Sequence, residues 1–430
     1  MGKKVGIYEN VEYRGSWWVP GEEDKKVYGV LIISKRKQIK LEVIGDAPIE
    51  SSLLNSESTD FPIVLGDCYD DKVTLVSCLD QSIGMRFDVF AGIQKKKVSM
   101  VFEFALFGEH FYSPADLCFQ SMYVEFSNLN HWMDQAPFSL HYFGKLEYKE
   151  HEIDNINLQI QQFNMNIKSG ISYEDITNRH DTVGLRYTFQ VLFETKVPQT
   201  LGWFLKRINK FKHFLSIYTD SLDYVLSMQG FYGDKSKFVS ICTIPLPDYH
   251  KTDREFNAFK MPIKIMYENI SDILNNWYQF EHEEILYTYI GNIPNDRKTI
   301  QEKFLGYARV IESLHRFQNP GSGKNTYFST RIKDTLGALP HYFAEKATLG
   351  KQIQDFAKMI TAERNYYTHF GDRPNNLISD YAMIGLNHSL KLICFWIISR
   401  KIGISEAQLT EQLNNDHTWL KILNYYQKRF

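Results

Sequence analysis

Cysteine is scarce in this chain: five in 430 residues, at Cys68, Cys78, Cys118, Cys242 and Cys394. They are scattered and odd in number, and no CxxC pair occurs, which argues against a disulfide framework and against a zinc knuckle. Charge of one sign is also missing. The formal net charge is −2, so no global basic field draws in nucleic acid, and an RNA contact must rest on a local patch. Long apolar runs are absent. The most apolar stretch, Leu390–Ile398, is far shorter than the roughly 20 residues of a membrane span. The opening MGKKVGIYENVEY has no apolar core of signal-peptide length. These absences together predict a reducing, cytoplasmic setting without a membrane. What the chain does have is aromatic bulk, with 30 Phe and 26 Tyr, and 43% hydrophobic residues. That composition belongs to a folded protein, and the length suits two or three domains.

The first half reads as strands. Ile39, Leu41 and Val43 alternate with polar residues, as do Ile156, Leu158 and Ile160, and the series Leu185, Tyr187, Phe189, Val191 and Phe193. Period two over four to eight residues marks a half-buried strand. Shorter runs at Val27–Ser34, Val73–Cys78, Val98–Phe107, Met122–Phe126 and Phe238–Leu246 add to the set. No helical pattern alternates with them, so an antiparallel sandwich or barrel-like domain is expected over residues 1–265 rather than a doubly wound sheet. One helical patch interrupts it, at about Leu201–Met228.

From residue 266 to 430 the period turns helical. Thr299 and Glu302 form a capping box ahead of Phe304, Ala308, Ile311 and Leu314. After the break at 318–325, helices are expected over Tyr327–Thr348, Lys351–Phe370 and Leu377–Lys401, stopped by Gly350, Gly371 with Pro374, and Gly403. Ser405 and Gln408 cap a short helix, and Trp419–Lys428 makes the last. The fold class is thus α+β and multidomain: a β-rich domain followed by an all-α bundle.

Most chemical motifs fail on inspection. GSGK at 321–324 lacks the first glycine of a phosphate loop, is followed by Asn325, and lies between helices. Glu281-His282-Glu283-Glu284 has no second histidine at helical spacing, so it reads as a solvated face, and no metal site or other cofactor is predicted. One cluster survives, Glu363-Arg364-Asn365-Tyr366-Tyr367-Thr368-His369-Phe370. Five residues at about 100° each set Arg364 and His369 about 140° apart on an ideal helix. They converge only if the helix ends here, as Gly371 and Pro374 predict. The plain reading is that Arg364 favours the helix dipole and His369 caps carbonyls.

The stretch AERNYYTHFGDRP, with a polar residue directly after its arginine, resembles the R-x(4–6)-H signature of HEPN domains. ARVIESLHRF at 308–317 looks like the earlier core helix of the ApeA-like HEPN group. GSWWVPG at 15–21 and VYGVLIIS at 27–34 resemble the β-rich domain that precedes HEPN in ApeA-type proteins. The likeness covers both halves in order, while residues 110–265 carry no nameable likeness. It implies a bacterial anti-phage effector of the abortive-infection type. It further implies a metal-independent endoribonuclease with Arg364 and His369 as its catalytic pair and Asn365 as helper. HEPN ribonucleases build one cleft from two copies, so a homodimer is implied, acting on RNA (tRNA, or phage or host messages) in response to a phage-derived trigger. The competing expectation is a non-catalytic HEPN module that senses a protein or small ligand.

The residue types suit the chemistry. Histidine works as acid or base near neutrality, and arginine offers a permanently charged planar fork to phosphate oxygens. From Lys346 to Lys401 eight cationic side chains stand against four anionic ones, a local excess of four. Tyr366, Tyr367 and Arg373 are candidate RNA contacts, the tyrosines by stacking on a base, with core packing the alternative for both tyrosines. Glu312, His315 and His388 are candidates for support around the pair, against a buried hydrogen-bonded histidine as the plain reading of His315 and a structural hydrogen bond to the motif helix as that of His388. Asn387 and His388 interrupt an apolar helix, where polar groups must find partners.

Overall fold

The computed structural model describes residues 11–34, 38–46, 53, 62–69, 71–88, 93–140, 146–148, 155–176, 184–233, 236–243, 260–293, 298–321, 326–369 and 377–428. Six strands open the chain: β1 (Val11–Trp18), β2 (Val27–Ile33), β3 (Ile39–Asp46), β4 (Ile63–Cys68), β5 (Asp71–Asp88) and β6 (Ile93–Phe107). Their hydrogen-bonded order is β6-β3-β2-β1-β4-β5, and β5 pairs back onto β6. All six pairings are antiparallel and close a small barrel. Closure removes the sheet edges that otherwise invite aggregation.

Alternation explains the barrel interior. Ile39, Leu41 and Val43 of β3 are buried against Leu31, Val98, Met100 and Phe102. The intervening Glu42 faces outward and accepts ion pairs from Lys40 at 2.6 Å and Lys97 at 2.8 Å. Trp17 and Trp18 divide the same way, the first inside the barrel and the second outside with the Lys26 ammonium 3.8 Å above its ring. Gly66 lies against Trp17 so closely that a Cβ there would stand 2.3 Å from the indole. Gly66→Ala is therefore expected to cost about 1–3 kcal/mol through overpacking, read as a lower urea midpoint at unchanged m-value. An unchanged midpoint would mean that Trp17 can move aside.

The sheet does not stop at the barrel. β6 is 15 residues long, and one of its edges serves β3 along Lys95–Phe102 and β14 (Lys237–Thr243) along Phe104–Phe107. Beyond β14 the order continues through β13 (Val225–Tyr232), β7 (Cys118–Phe126), β12 (Leu185–Thr200), β11 (Met165–Asp175) and β10 (Asn157–Ile160). A short hairpin of β8 (Phe138–Leu140) and β9 (Leu146–Tyr148) stands apart. Helices α1 (Leu129–Met133) and α2 (Leu201–Tyr218) accompany this open half. Thr200 caps α2 by accepting from the Trp203 amide, and Phe204, Ile208, Phe211, Leu215 and Tyr218 give it a buried stripe.

The helical patch is shorter than the expected Leu201–Met228. It ends at Tyr218, and Val225–Met228 belong to β13. Asp220 takes a left-handed conformation at φ 52, and the buried Asp223 carboxylate accepts from the Ser127 hydroxyl at 2.6 Å and the Asn128 amide at 2.8 Å. Those bonds hold the turn against β7, so tertiary pairing overrides the apolar spacing that continues past the helix.

The rest is helical: α3 (Ile263–Met266), α4 (Ile270–Gln279), α5 (Glu283–Ile290), α6 (Ile300–Gln318), α7 (Phe328–Gly337), α8 (His341–Ala347), α9 (Ile353–His369), α10 (Asp380–Lys401), α11 (Glu406–Asn415) and α12 (His417–Gln427). The capping boxes at Thr299 and Ser405 are both present. The single helix expected over Tyr327–Thr348 is two, because Pro340 has no N–H to donate and instead caps the start of α8. Helix α10 is by length and composition long enough to cross a membrane, which the short run Leu390–Ile398 did not suggest. Within the fold 78% of its apolar window is buried, so its apolarity is used in the core.

The open half of the sheet, α2 and the helical bundle share one hydrophobic core. Polar contacts cross the same boundary. The Trp277 indole donates to the Lys210 carbonyl at 2.9 Å, and the Tyr218 hydroxyl pairs with Ser399 at 3.2 Å. Lys391 of α10 forms an ion pair with Asp220, both almost fully buried.

Candidate active site

Helix α9 buries Phe356, Ala357 and Ile360; Arg364 is half-buried, and Asn365 and His369 are exposed. Its neighbours are α7 and α6. The Arg364 guanidinium lies 3.5 Å from Glu312 Oε2 on α6, 3.4 Å from Asn365 Oδ1, and 5.4 Å from the centroid of the Phe328 ring at the start of α7. A carboxylate, an amide oxygen and an aromatic face thus restrain one half-buried guanidinium. Glu312 is shared: its other oxygen accepts from Arg316 at 2.7 Å.

His369 is exposed and is the last residue of α9. The helix therefore persists to the motif histidine, where an earlier end would have let the pair converge. Helical geometry then leaves Arg364 and His369 about 140° apart around the axis. Gly371, Arg373 and Pro374 lie outside the described residues, so Arg373 has no structural assignment here. Ahead of α10, the Ile378 amide donates to the buried Glu363 carboxylate at 2.7 Å. That bond ties the segment entering α10 back to the helix carrying the motif.

The remaining candidates divide. Tyr366 and Tyr367 are half-buried and pack edge to face at 5.0 Å, and Tyr367 also meets Phe304 at 6.4 Å on the margin of the core. Asn365 is brought to Arg364, as is Glu312. His315 points elsewhere: its Nε2 meets Asp334 at 3.1 Å and its Nδ1 meets the buried Arg331 at 3.5 Å. It lines a cleft of about 340 Å³ with Asp334, Trp396 and Arg400. His388 packs against Trp419 and Tyr426 of α12, and Asn387 donates to the Ile300 carbonyl at 2.9 Å. Phe328 and Arg316 were not among the sequence candidates. Arg316 had a visible signal, its i,i+4 spacing from Glu312; Phe328 had none, because it reaches Arg364 only through tertiary packing.

Among the described residues no three His, Cys, Asp or Glu side chains gather as a metal-binding group. Burial pushes the His388 imidazole down to about 4, with Lys391 and then Lys303 adding to the effect. Its ordinary value is about 6.5, so the unfolded chain takes up this proton first as pH falls. The stability it supplies is complete above about pH 6.5 and is lost between 6.5 and 4, on the order of 3 kcal/mol in all. His213, also pushed down to about 4 by burial, acts in the same direction. Asp223, raised to about 6 by burial, opposes them below pH 6. A melting-temperature scan from pH 7 to 4 is expected to fall, and His388→Gln to flatten it. An identical slope in the variant would show that His388 does not titrate with folding.

Comparison with known proteins covers nearly the whole chain. ApeA N-terminal domain 1 matches residues 12–277, including the stretch 110–265 where no motif had a likeness. Apea-like HEPN matches residues 275–408, which hold α6, α9 and the cluster around Arg364. No curated protein and no solved structure matches the chain. HEPN domains are generally those of ribonucleases, and their pairing with this N-terminal domain points to a defence-related nuclease family. The chain belongs to the ApeA family, with the ApeA N-terminal domain forming its β-rich part and an Apea-like HEPN domain its helical part.

Proposed function

We propose that this protein is a metal-independent RNA endonuclease that acts in the bacterial cytoplasm as an abortive-infection effector against phage. The observation that carries the reading is the restrained, half-exposed Arg364 guanidinium, one and a half turns before an exposed His369 at the end of the same helix. The 2′-hydroxyl of RNA is a nucleophile already in place, so the protein must supply only proton transfer and charge stabilisation. His369 takes the 2′-OH proton. The 2′-oxygen attacks phosphorus, the P–O5′ bond breaks, and the leaving 5′-oxygen is protonated. Arg364 holds the non-bridging oxygens, where negative charge concentrates in the transition state. Asn365 helps to orient the phosphate. The products carry a 2′,3′-cyclic phosphate and a 5′-hydroxyl.

One copy supplies an arginine and a histidine that diverge around α9. A homodimer with two facing α9 helices lines one groove with two of each, and lets one histidine act as base while its mate acts as acid. RNA is the substrate, and a phage-derived trigger is the proposed further partner.

The test is cleavage of RNA by the purified protein in excess EDTA, with the new ends sequenced as 5′-hydroxyls. Undiminished cleavage is expected. Cleavage lost in EDTA and restored by Mg²⁺ or Mn²⁺ would overturn the Arg/His chemistry, and absence of cleavage with intact RNA binding would favour a sensing module. A companion prediction concerns assembly. Charged substitutions that split the dimer are expected to abolish cleavage with the motif intact, as followed by sedimentation and RNA cleavage on the same preparations; a folded monomer that still cuts would remove the shared groove.

A further inference from the structure

We infer that Arg316 is a second phosphate contact of the RNA site, linked to Arg364 through Glu312, which acts as a positioning residue for both. The inference rests on the ribonuclease reading above. Glu312 Oε1 holds Arg316 at 2.7 Å and Oε2 holds Arg364 at 3.5 Å. One carboxylate thus bridges two guanidinium groups from different helices and leaves a net positive charge. Stability does not explain this arrangement. Arg316 is 59% exposed and sits i+4 from Glu312, and such a surface pair contributes only about 0.3–0.5 kcal/mol.

The geometry suits a chain of phosphates better. Arg309, Glu312 and Arg316 follow one another at i, i+3 and i+7 and so share one face of α6. Arg309 and Arg316 are both exposed. Arg316 spends one bond on Glu312, and a guanidinium has five N–H donors. Arg364 makes one contact each with Glu312 and Asn365. The Glu312 carboxylate, mostly shielded at 17% exposure, fixes the two forks relative to each other. An RNA backbone crossing from α9 to α6 would meet Arg364 at the scissile phosphate and Arg316 at a neighbouring one. Asp334 of the adjacent α7 is in contact with His315 Nε2 at 3.1 Å. Arg316 is therefore expected to govern how tightly RNA binds, and Glu312 how fast bound RNA is cut.

The experiment uses the full-length protein and two probes. A fluorescent single-stranded 2′-O-methyl RNA, which lacks the nucleophile, reports binding. The same sequence as RNA reports single-turnover cleavage. Arg316→Ala is expected to raise Kd about five- to tenfold and to reduce the slope of log Kd against log salt by about 0.7, one phosphate contact on a single strand. Arg316→Lys, which keeps the charge, should recover the salt slope. Glu312→Ala is expected to lower the saturating rate at least about tenfold, the scale of losing an oriented electrostatic contact, with Glu312→Gln intermediate and both melting temperatures unchanged. An Arg316→Ala protein with wild-type Kd and salt slope overturns the site. A Glu312→Ala protein as fast as wild type, or faster, overturns the positioning role and makes Glu312 a mask over Arg364. Wild type that binds both probes and leaves the RNA uncut, with Arg316→Ala binding more weakly, upholds the binding site and removes the reaction. Wild type that binds neither overturns both.

Discussion

His369→Ala is expected to abolish RNA cleavage, by roughly 10²–10⁴-fold for loss of a positioned proton-transfer group, while the protein melts as before. The two halves of that expectation have separate grounds. His369 is exposed and is the terminal residue of α9, so its truncation removes little packing and should change stability by no more than about 0.5 kcal/mol. Its chemistry has no substitute on the same helix end, where Tyr366, Tyr367 and Thr368 are the neighbours. Arg364→Lys makes the complementary test. Lysine keeps the charge but cannot match the planar fork that meets Glu312 and Asn365, and a loss of about 10²–10³-fold is expected. If His369 were only a helix cap the pattern would invert, with a lower melting temperature and normal cleavage per folded molecule. Melting and cleavage measured on the same preparations decide between the two, and a destabilised but fully active His369→Ala protein would falsify the catalytic assignment.

Much of the architecture was legible because its determinants are local. The alternation of Ile39, Leu41 and Val43 marks β3 whatever surrounds it, and the capping boxes at Thr299 and Ser405 mark α6 and α11 within four residues each. Barrel closure was not legible. It depends on β6 pairing with β5 along one edge while β3 and β14 divide the other, and no local pattern encodes which distant strand claims which segment. The overlong helical patch shows the same limit. Leu222, Val225 and Met228 continue an apolar spacing past Tyr218, yet the buried bonds of Asp223 to Ser127 and Asn128 come from nearly a hundred residues away. Pro340 differs in kind, since its missing N–H is a local fact that marks the break between α7 and α8.

At the site, residue types identified the helix and tertiary structure supplied the partners. Arg364, Asn365 and His369 stand out as a polar group following a buried stripe on one helix. Glu312 stands out less, as one of two acids on an amphipathic helix, and its meaning comes from the two guanidinium groups it bridges. Phe328 beneath Arg364 is invisible without coordinates, because a phenylalanine at a helix start usually belongs to the core. His315 and His388 illustrate the converse. Both are histidines near the motif in sequence or on a neighbouring helix, and both are occupied elsewhere, one by Asp334 and Arg331, the other by the rings of α12.

Asp220→Asn is expected to destabilise the whole protein by about 3–5 kcal/mol, because it leaves the Lys391 ammonium buried without its counter-charge. Asparagine suits the test: it tolerates the left-handed backbone at φ 52 and is nearly isosteric, so charge alone changes. Burial of both partners makes the effect large, at 2% exposure for Asp220 and 5% for Lys391, since a lone charge in such surroundings is not rehydrated. Lys391→Met in the Asp220→Asn background removes the orphaned ammonium and should recover most of the loss, as apolar replacements of buried ion pairs commonly do. Urea unfolding of the wild type, the single variant and the pair measures both steps. The ion pair joins the turn after α2 to the middle of α10, and α10 packs along α6, which carries Glu312. The helical unit produced without residues 1–265 would hold Lys391 unpaired beside an uncovered face of the shared core, and is expected not to fold. An Asp220→Asn protein within about 1 kcal/mol of wild type would show that the buried pair does not hold α10 to the turn after α2, and a stable isolated helical unit would show that the β-rich domain is not needed for the helical domain to fold.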